Sequence, residues 1–278
     1  FSPSLIKPPR WPIQPHLTAA PELYRNLILG WPAWALDEPD LAHPETTNWV
    51  NQTNTGSTQF GSSADLNGTD QYIQGSEGRI TGPLPITVTA DFILRSVPSF
   101  ATTVFQTNDP NGSYFYSGVQ ILFNDGAINL QVGDASGTDA GARKTYSWST
   151  TVSANKRYII TAVVRGVNDV TIYLDGQDVT SNFSVSGAAS NVAFPSDTRP
   201  TAGLWTLSGL SNRYQNMDFL GGYVHRGEVP IETIKALHAD PFAMLRPGPQ
   251  LLPLLFGGAG TTGSTVTDTA LITSATAS

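Results

Sequence analysis

Between Thr47 and Arg226, apolar and polar residues alternate in short runs that turn residues interrupt every few positions. A period of two sends successive side chains to opposite faces of an extended strand, so a chain patterned this way must build sheets with one apolar face. Ile86, Val88, Ala90, Phe92 and Leu94 alternate with Thr87, Thr89, Asp91, Ile93 and Arg95. Val119, Ile121 and Phe123 repeat the pattern, Asn124-Asp125-Gly126 follows, and Ile128, Leu130 and Val132 return, which predicts a hairpin closed by a primed turn. Tyr158, Ile160, Ala162 and Val164 form a further run, and Val170, Ile172 and Leu174 another, ending at Asp175-Gly176. Many short strands with almost no helical period predict an all-β, two-sheet antiparallel jelly-roll sandwich rather than alternating βαβ units.

One short helix is predicted near the end. Pro230 suits a first helical position, Ile231, Ile234 and Leu237 recur at three-residue spacing, and Asp240-Pro241 stops the run. Residues 1–44 read as an extended arm, because Pro3, Pro8, Pro9, Pro12, Pro15 and Pro21 forbid a long helix. Trp11, Trp31 and Trp34 on that arm are costly to leave in water, so the arm docks on its own domain or on a neighbour, and the three are candidate assembly contacts. Residues 45–247 make the jelly roll, and residues 248–278 a Gly/Thr/Ser-rich tail that cannot fold alone.

Charge excludes several partners. Fifteen Lys and Arg against 22 Asp and Glu give −7, with no basic run to track a phosphate backbone, so nucleic acid is not expected. The most apolar stretch, Leu251 to Phe256, is short and broken by Pro253, so no membrane helix is expected either. The absence of Cys removes disulfides and thiolate metal sites.

Three segments carry a resemblance. Asp65-Leu66-Asn67-Gly68-Thr69-Asp70-Gln71-Tyr72-Ile73 looks like an early strand motif, and Val170-Thr171-Ile172-Tyr173-Leu174-Asp175-Gly176-Gln177 like a late hairpin. Gly222-Tyr223-Val224-His225-Arg226, leading into Ile231 to Leu237 and Asp240-Pro241-Phe242, looks like a closing strand and terminal helix. In this order they resemble the laminin-G-like, concanavalin-A-like lectin/glucanase family. The ending, with Leu245-Arg246-Pro247 before a Gly-rich stretch and a Thr/Ala/Ser-rich tail, resembles structural proteins of tailed phages and prophages. That resemblance implies a non-enzymatic component of the virion surface, such as a head decoration, tail or fibre-associated protein. Its arm and tail would contact other virion proteins, and its jelly roll would meet protein or glycan. An extracellular lectin-type carbohydrate-binding module is the alternative, and a glucanase a third.

Each chemistry makes its own demand. A retaining glucanase needs two carboxylates about 5 Å apart, carried in related jelly rolls as Glu-x-Asp-x-x-Glu. The nearest string, Glu38-Pro39-Asp40-Leu41-Ala42-His43, lacks the last carboxylate, and Pro39 is poor in a central strand. There is no Gly-x-Ser-x-Gly elbow. His16 and His43 sit in Pro-rich segments, His225 is on the closing strand, and His238 ends the helix, where a cation suits the dipole. Gly258-Ala259-Gly260-Thr261-Thr262-Gly263 matches a dinucleotide pattern without its strand and helix. A possible Ca²⁺ would be sought at Asp109 with Asn111 and at Asp134 with Asp139, since hard cations take loop oxygens. Glycan recognition needs an aromatic platform beside amides, which Tyr114 and Tyr116 in one loop and Asn212, Arg213 and Tyr214 in another supply. Open edge strands would permit a homo-oligomer.

Overall fold

The computed structural model describes residues 26–32, 47–50, 54–58, 61–75, 77–78, 80–107, 116–137, 139–196, 199–205 and 213–239. Its strands are β1 (Leu27–Pro32), β2 (Thr47–Val50), β3 (Asn54–Thr58), β4 (Gly61–Asn67), β5 (Tyr72–Gly75), β6 (Ile86–Leu94), β7 (Thr102–Gln106), β8 (Ser117–Asn124) and β9 (Ala127–Asp134). There follow β10 (Arg143–Ser149), β11 (Arg157–Gly166), β12 (Asp169–Leu174), β13 (Gln177–Asp178), β14 (Ser184–Gly187), β15 (Thr201–Ala202), β16 (Leu204–Trp205), β17 (Arg213–Tyr214) and β18 (Asn216–Arg226), then one helix, α1 (Ile231–Ala239). One eight-stranded sheet runs β13-β12-β11-β6-β18-β4-β3, with β1 also on β18. A second runs β14-β10-β9-β8-β7-β15-β5-β2, and every pairing is antiparallel. This is the two-sheet jelly-roll sandwich that the alternation predicts.

The two sheets meet through their apolar faces. Ile86, Val88, Ala90, Phe92 and Leu94 of β6 share one core with Val119, Ile121 and Phe123 of β8 and Ile128, Leu130 and Val132 of β9. Phe92 meets Phe123 edge-on at 5.7 Å, and Phe105 stacks on Phe219 at 6.3 Å, so four fully buried rings bridge the layers. The predicted hairpin is present. Asn124 pairs with Ala127 across a two-residue turn whose Asp125 and Gly126 both have positive φ, as a primed turn requires. Asp175-Gly176 closes β12 onto β13 in the same way.

Within the expected arm, residues 26–32 are described. Leu27–Pro32 pairs with β18, and Trp31 is buried, its ring edge-on to Phe105 at 5.8 Å. Trp31 is therefore a core residue and not an assembly contact, because the apolar ring finds its own sandwich first. Trp11 and Trp34, and the tail, lie outside the described residues.

The polar face of β6 is not solvated. Helix α1 lies over this side of the first sheet, with Ile234 and Leu237 packed among Leu27, Val163, Tyr173, Tyr223 and Val229. Ile231, expected on the same apolar stripe, is exposed. Beneath the helix, Thr89 and Thr161 share a hydrogen bond of 2.9 Å, and Thr161 Oγ1 pairs with His238 Nε2 at 2.8 Å. Arg157 donates from Nε and Nη2 to the two oxygens of buried Asp91 at 2.8 and 2.7 Å. Burial outweighs the arginine's pull and raises the Asp91 pKa above its ordinary value.

His238 therefore does not act as a cation at the helix end. Burial, with Arg157 nearby, lowers its pKa to about 4, so the ring is neutral at neutral pH. His225, on β18, is more extreme: it is fully buried, neither ring nitrogen has a protein partner, and burial lowers its pKa to about 4.

Candidate functional site

The site lies on the face of the second sheet turned away from the core. Residues that alternate with the core set project there, and the turn at Asp125-Gly126 fixes which of them meet. Gln120 stands opposite Gln131, Gln131 opposite Thr145, and Thr145 opposite Ser186, making one polar row across β8, β9, β10 and β14. Leu122, Asn129, Ser147 and Ser184 make the next row. Ladders hold these positions rigidly, so the side chains present a fixed grid of donors and acceptors.

Across these rows runs a hollow of about 390 Å³, floored by Gln131, Asn129, Thr145 and Ser147 and walled by Tyr116 and Arg143. That volume falls within the range of about 300–1,000 Å³ usual for small-molecule sites. Gln131 is only 8% exposed, and its Oε1 has no hydrogen-bond partner in the protein. Asn124, Thr145 and Ser186 line the same space with no side-chain hydrogen bond to any described residue. Asn129 makes a single one, from Nδ2 to the Ala127 carbonyl at 3.3 Å. Arg143 lays its guanidinium over the Tyr116 ring, 4.3 Å from the centroid, and donates from Nη1 to the Tyr116 hydroxyl. Burial raises the Tyr116 pKa, with Arg143 opposing and Asp139 adding, so the phenol stays protonated. The lining supplies amides, hydroxyls, a phenol and one cation, with no carboxylate.

The structure separates the residues expected for glycan contact. Tyr116 belongs to this hollow, but it is packed with Ala142 and Ala101 and one ring face is covered by Arg143, so it is a wall rather than an open platform. Arg213 and Tyr214 form β17 and lie apart from it, beside a smaller hollow of about 270 Å³ that includes Phe100 and Gln215. There Arg213 sits 5.0 Å over Phe100, and Tyr214 lies 6.2 Å from Tyr72. Two of the three side-chain amides of this second hollow, Gln215 and Asn67, are already committed. Gln215 accepts from Thr102 Oγ1 and donates to the Asn216 carbonyl, while Asn67 Oδ1 accepts from the Thr69 and Asp70 amides. Tyr114 and Asn212 lie outside the described residues.

Of Asp134 and Asp139, expected as Ca²⁺ ligands, the first spends both oxygens and the second its Oδ1 on backbone amides. Asp134 Oδ1 accepts from Ser136 N and Oδ2 from Ser190 N, contacts that lower its pKa against a desolvation that raises it. Asp139 caps a 3₁₀ turn through Gly141 N and Ala142 N. Among the described residues no three His, Cys, Asp or Glu side chains gather in a metal-binding group. Asp109 and Asn111, and the Glu38 to His43 string, lie outside the described residues.

Sequence reasoning missed Gln131, Asn129, Thr145 and Arg143, because polar residues alternating with a core read as ordinary solvent-facing positions. A signal was present in the hairpin itself, whose two-residue turn sets Gln120 opposite Gln131.

No protein-family model matches the chain, and no curated protein matches it. Solved structures do. The botulinum neurotoxin serotype D binding domain superposes with a TM-score of 0.57 at 12% identity, covering 81% of this chain and 53% of that one. The same serotype's ligand-binding domain, in complex with N-acetylneuraminic acid, gives 0.57 at 12%, with 80% and 52% covered. Domain 4 of AbnA, an extracellular arabinanase of Geobacillus stearothermophilus solved with arabinotriose, gives 0.54 at 15%, covering 77% of this chain and 98% of that domain. This chain spans about half the length of the neurotoxin domains. These likenesses identify the fold, a β-sandwich that recurs in receptor- and carbohydrate-binding domains.

Proposed function

We propose that the chain is a non-catalytic binding module that holds an oligosaccharide in the hollow over β8, β9 and β10. The observation that carries this is the set of amides and hydroxyls lining the hollow, of which Asn124, Thr145 and Ser186 make no side-chain hydrogen bond to any described residue. Ligand hydroxyls can bond to such open groups in place of water. A sugar offers hydroxyls at the spacing of a polar grid, and the lining carries no carboxylate pair of the kind glycoside hydrolysis uses. The solved complexes of two proteins of the same fold with N-acetylneuraminic acid and with arabinotriose are in keeping with this reading.

The setting we propose is the surface of a tailed-phage particle, with the arm and tail held by other virion proteins. The support is the sequence resemblance of the segment from Asp240 to Pro247 and the tail after it. In an extracellular lectin the same hollow would serve, and neither setting calls for a cofactor; a bound Ca²⁺ stays a proposal.

Gln131→Leu separates function from folding. It removes the unpartnered acceptor, so stability in urea should hold or rise by up to about 1 kcal/mol, while binding on a glycan array falls at least tenfold. Undiminished binding in Gln131→Leu, or no glycan retained by the unaltered chain, overturns the reading.

A further inference from the structure

Among the described residues, four of the seven arginines are matched to carboxylates. Arg95 is held by Asp65 and Asp218, Arg157 by Asp91, Arg165 by Glu228 and Asp169, and Arg199 by Glu77. In a chain of net charge −7 such matching is easily satisfied. Arg226 instead donates to the Thr81 carbonyl, and Arg143 reaches neither a carboxylate nor a backbone carbonyl. It is half-buried at the start of β10, it forms no ion pair with a described residue, and its guanidinium is placed against the Tyr116 ring and donates from Nη1 to the Tyr116 hydroxyl. Asp139, the acid whose charge reaches Tyr116, is turned to its own backbone cap. Lys144, next along β10, is drawn to Asn168.

Arg143 and Gln131 line one hollow and ask for opposite things. Arg143 offers Nε and Nη2 as donors on a planar cation held in place by an aromatic ring, a geometry that suits a carboxylate. The Gln131 amide in the floor, with Asn124, Thr145 and Ser186 around it, offers only neutral groups that suit hydroxyls. A neutral sugar satisfies the second and wastes the first, whereas a simple carboxylic acid does the reverse. We propose that the ligand of this hollow is an acidic saccharide, a sugar bearing a carboxylate, whose carboxylate pairs with Arg143 while its hydroxyls bond to the neutral amides and hydroxyls of the lining. The inference rests on the saccharide-site reading above and adds the charge of the ligand to it. Uronic and sialic acids share this chemistry, and the probes below distinguish them.

The test is calorimetric titration of the full chain with two matched pairs: sialyllactose against lactose, and trigalacturonate against its methyl ester. The acidic member of at least one pair is expected to bind tenfold or more tightly, and the pair showing the preference identifies the acid. Arg143→Gln should erase the preference and leave the weak neutral binding in place. Arg143→Lys should restore part of it, since an ammonium keeps the charge but lacks the planar fork. Urea midpoints of both variants within experimental error of the parent would show that the sandwich is intact. Equal affinity within both pairs, or a preference that survives Arg143→Gln, overturns the inference. If that happens while Gln131→Leu still abolishes binding, the saccharide site stands and only its acidity falls. If no probe binds, both fall.

Discussion

Acid should destabilise this protein from within its first sheet, through His225 on β18. The ring is fully buried with both nitrogens unpartnered, so the folded state holds it neutral down to about pH 4, whereas the unfolded chain protonates it near 6.5. A base whose pKa is lower when folded favours the unfolded state wherever that state binds the extra proton. Stability is thus undiminished above about pH 6.5, falls through the window from about 6.5 to about 4, and levels off below. The full gap of about 2.5 between the two pKa values corresponds to about 3 kcal/mol, of which about 2 kcal/mol is lost by pH 5, before most carboxylates titrate. His238 acts in the same direction but is partly exposed and paired with Thr161, so its share is smaller. The assay is urea unfolding at about pH 7.5 and about pH 5 for the parent and for His225→Leu, comparing the change with pH rather than absolute stability. The variant should lose less stability on acidification than the parent, by about 2 kcal/mol. An identical pH dependence in the two proteins would refute the reasoning, because it would mean that His225 takes up its proton without unfolding.

Two further perturbations probe the frame. Trp31→Ala should cost about 3–5 kcal/mol in urea, as for other buried aromatic truncations; a loss below about 1 kcal/mol would return Trp31 to a dispensable arm. Arg157→Ala should destabilise by a similar 3–5 kcal/mol, because it strands the Asp91 carboxylate in the interior, and a near-neutral effect would show that water reaches it.

Much of the fold was legible in the sequence, and for identifiable reasons. The turns Asp125-Gly126 and Asp175-Gly176 adopt positive φ, so each ties its strands locally. Helix α1 was legible from Ile234 and Leu237, although Ile231 at the same spacing stays in solvent because the helix meets the sheet only from its second turn. Leu27–Pro32 was read as arm because its proline-rich surroundings hide a six-residue strand that acquires its partner from residues almost two hundred positions away. The functional residues were the least legible. Tyr116 was singled out for its aromatic ring, but the fold spends that ring on supporting Arg143, while Gln131 carried no distinguishing mark.

What the sequence determined by itself is what depends on near neighbours: the alternation that makes strands and the glycines and aspartates that turn them. What only the tertiary structure decided is which polar residues lie buried and which of them are left without partners. Thr89, Asp91 and His225 look like surface residues until α1 and the neighbouring strands cover them, and Gln131 looks like its neighbours until its oxygen is found without a donor. Hydrogen bonding is a pairwise property across space, set by strand order and by what packs over each sheet, so no local pattern records it.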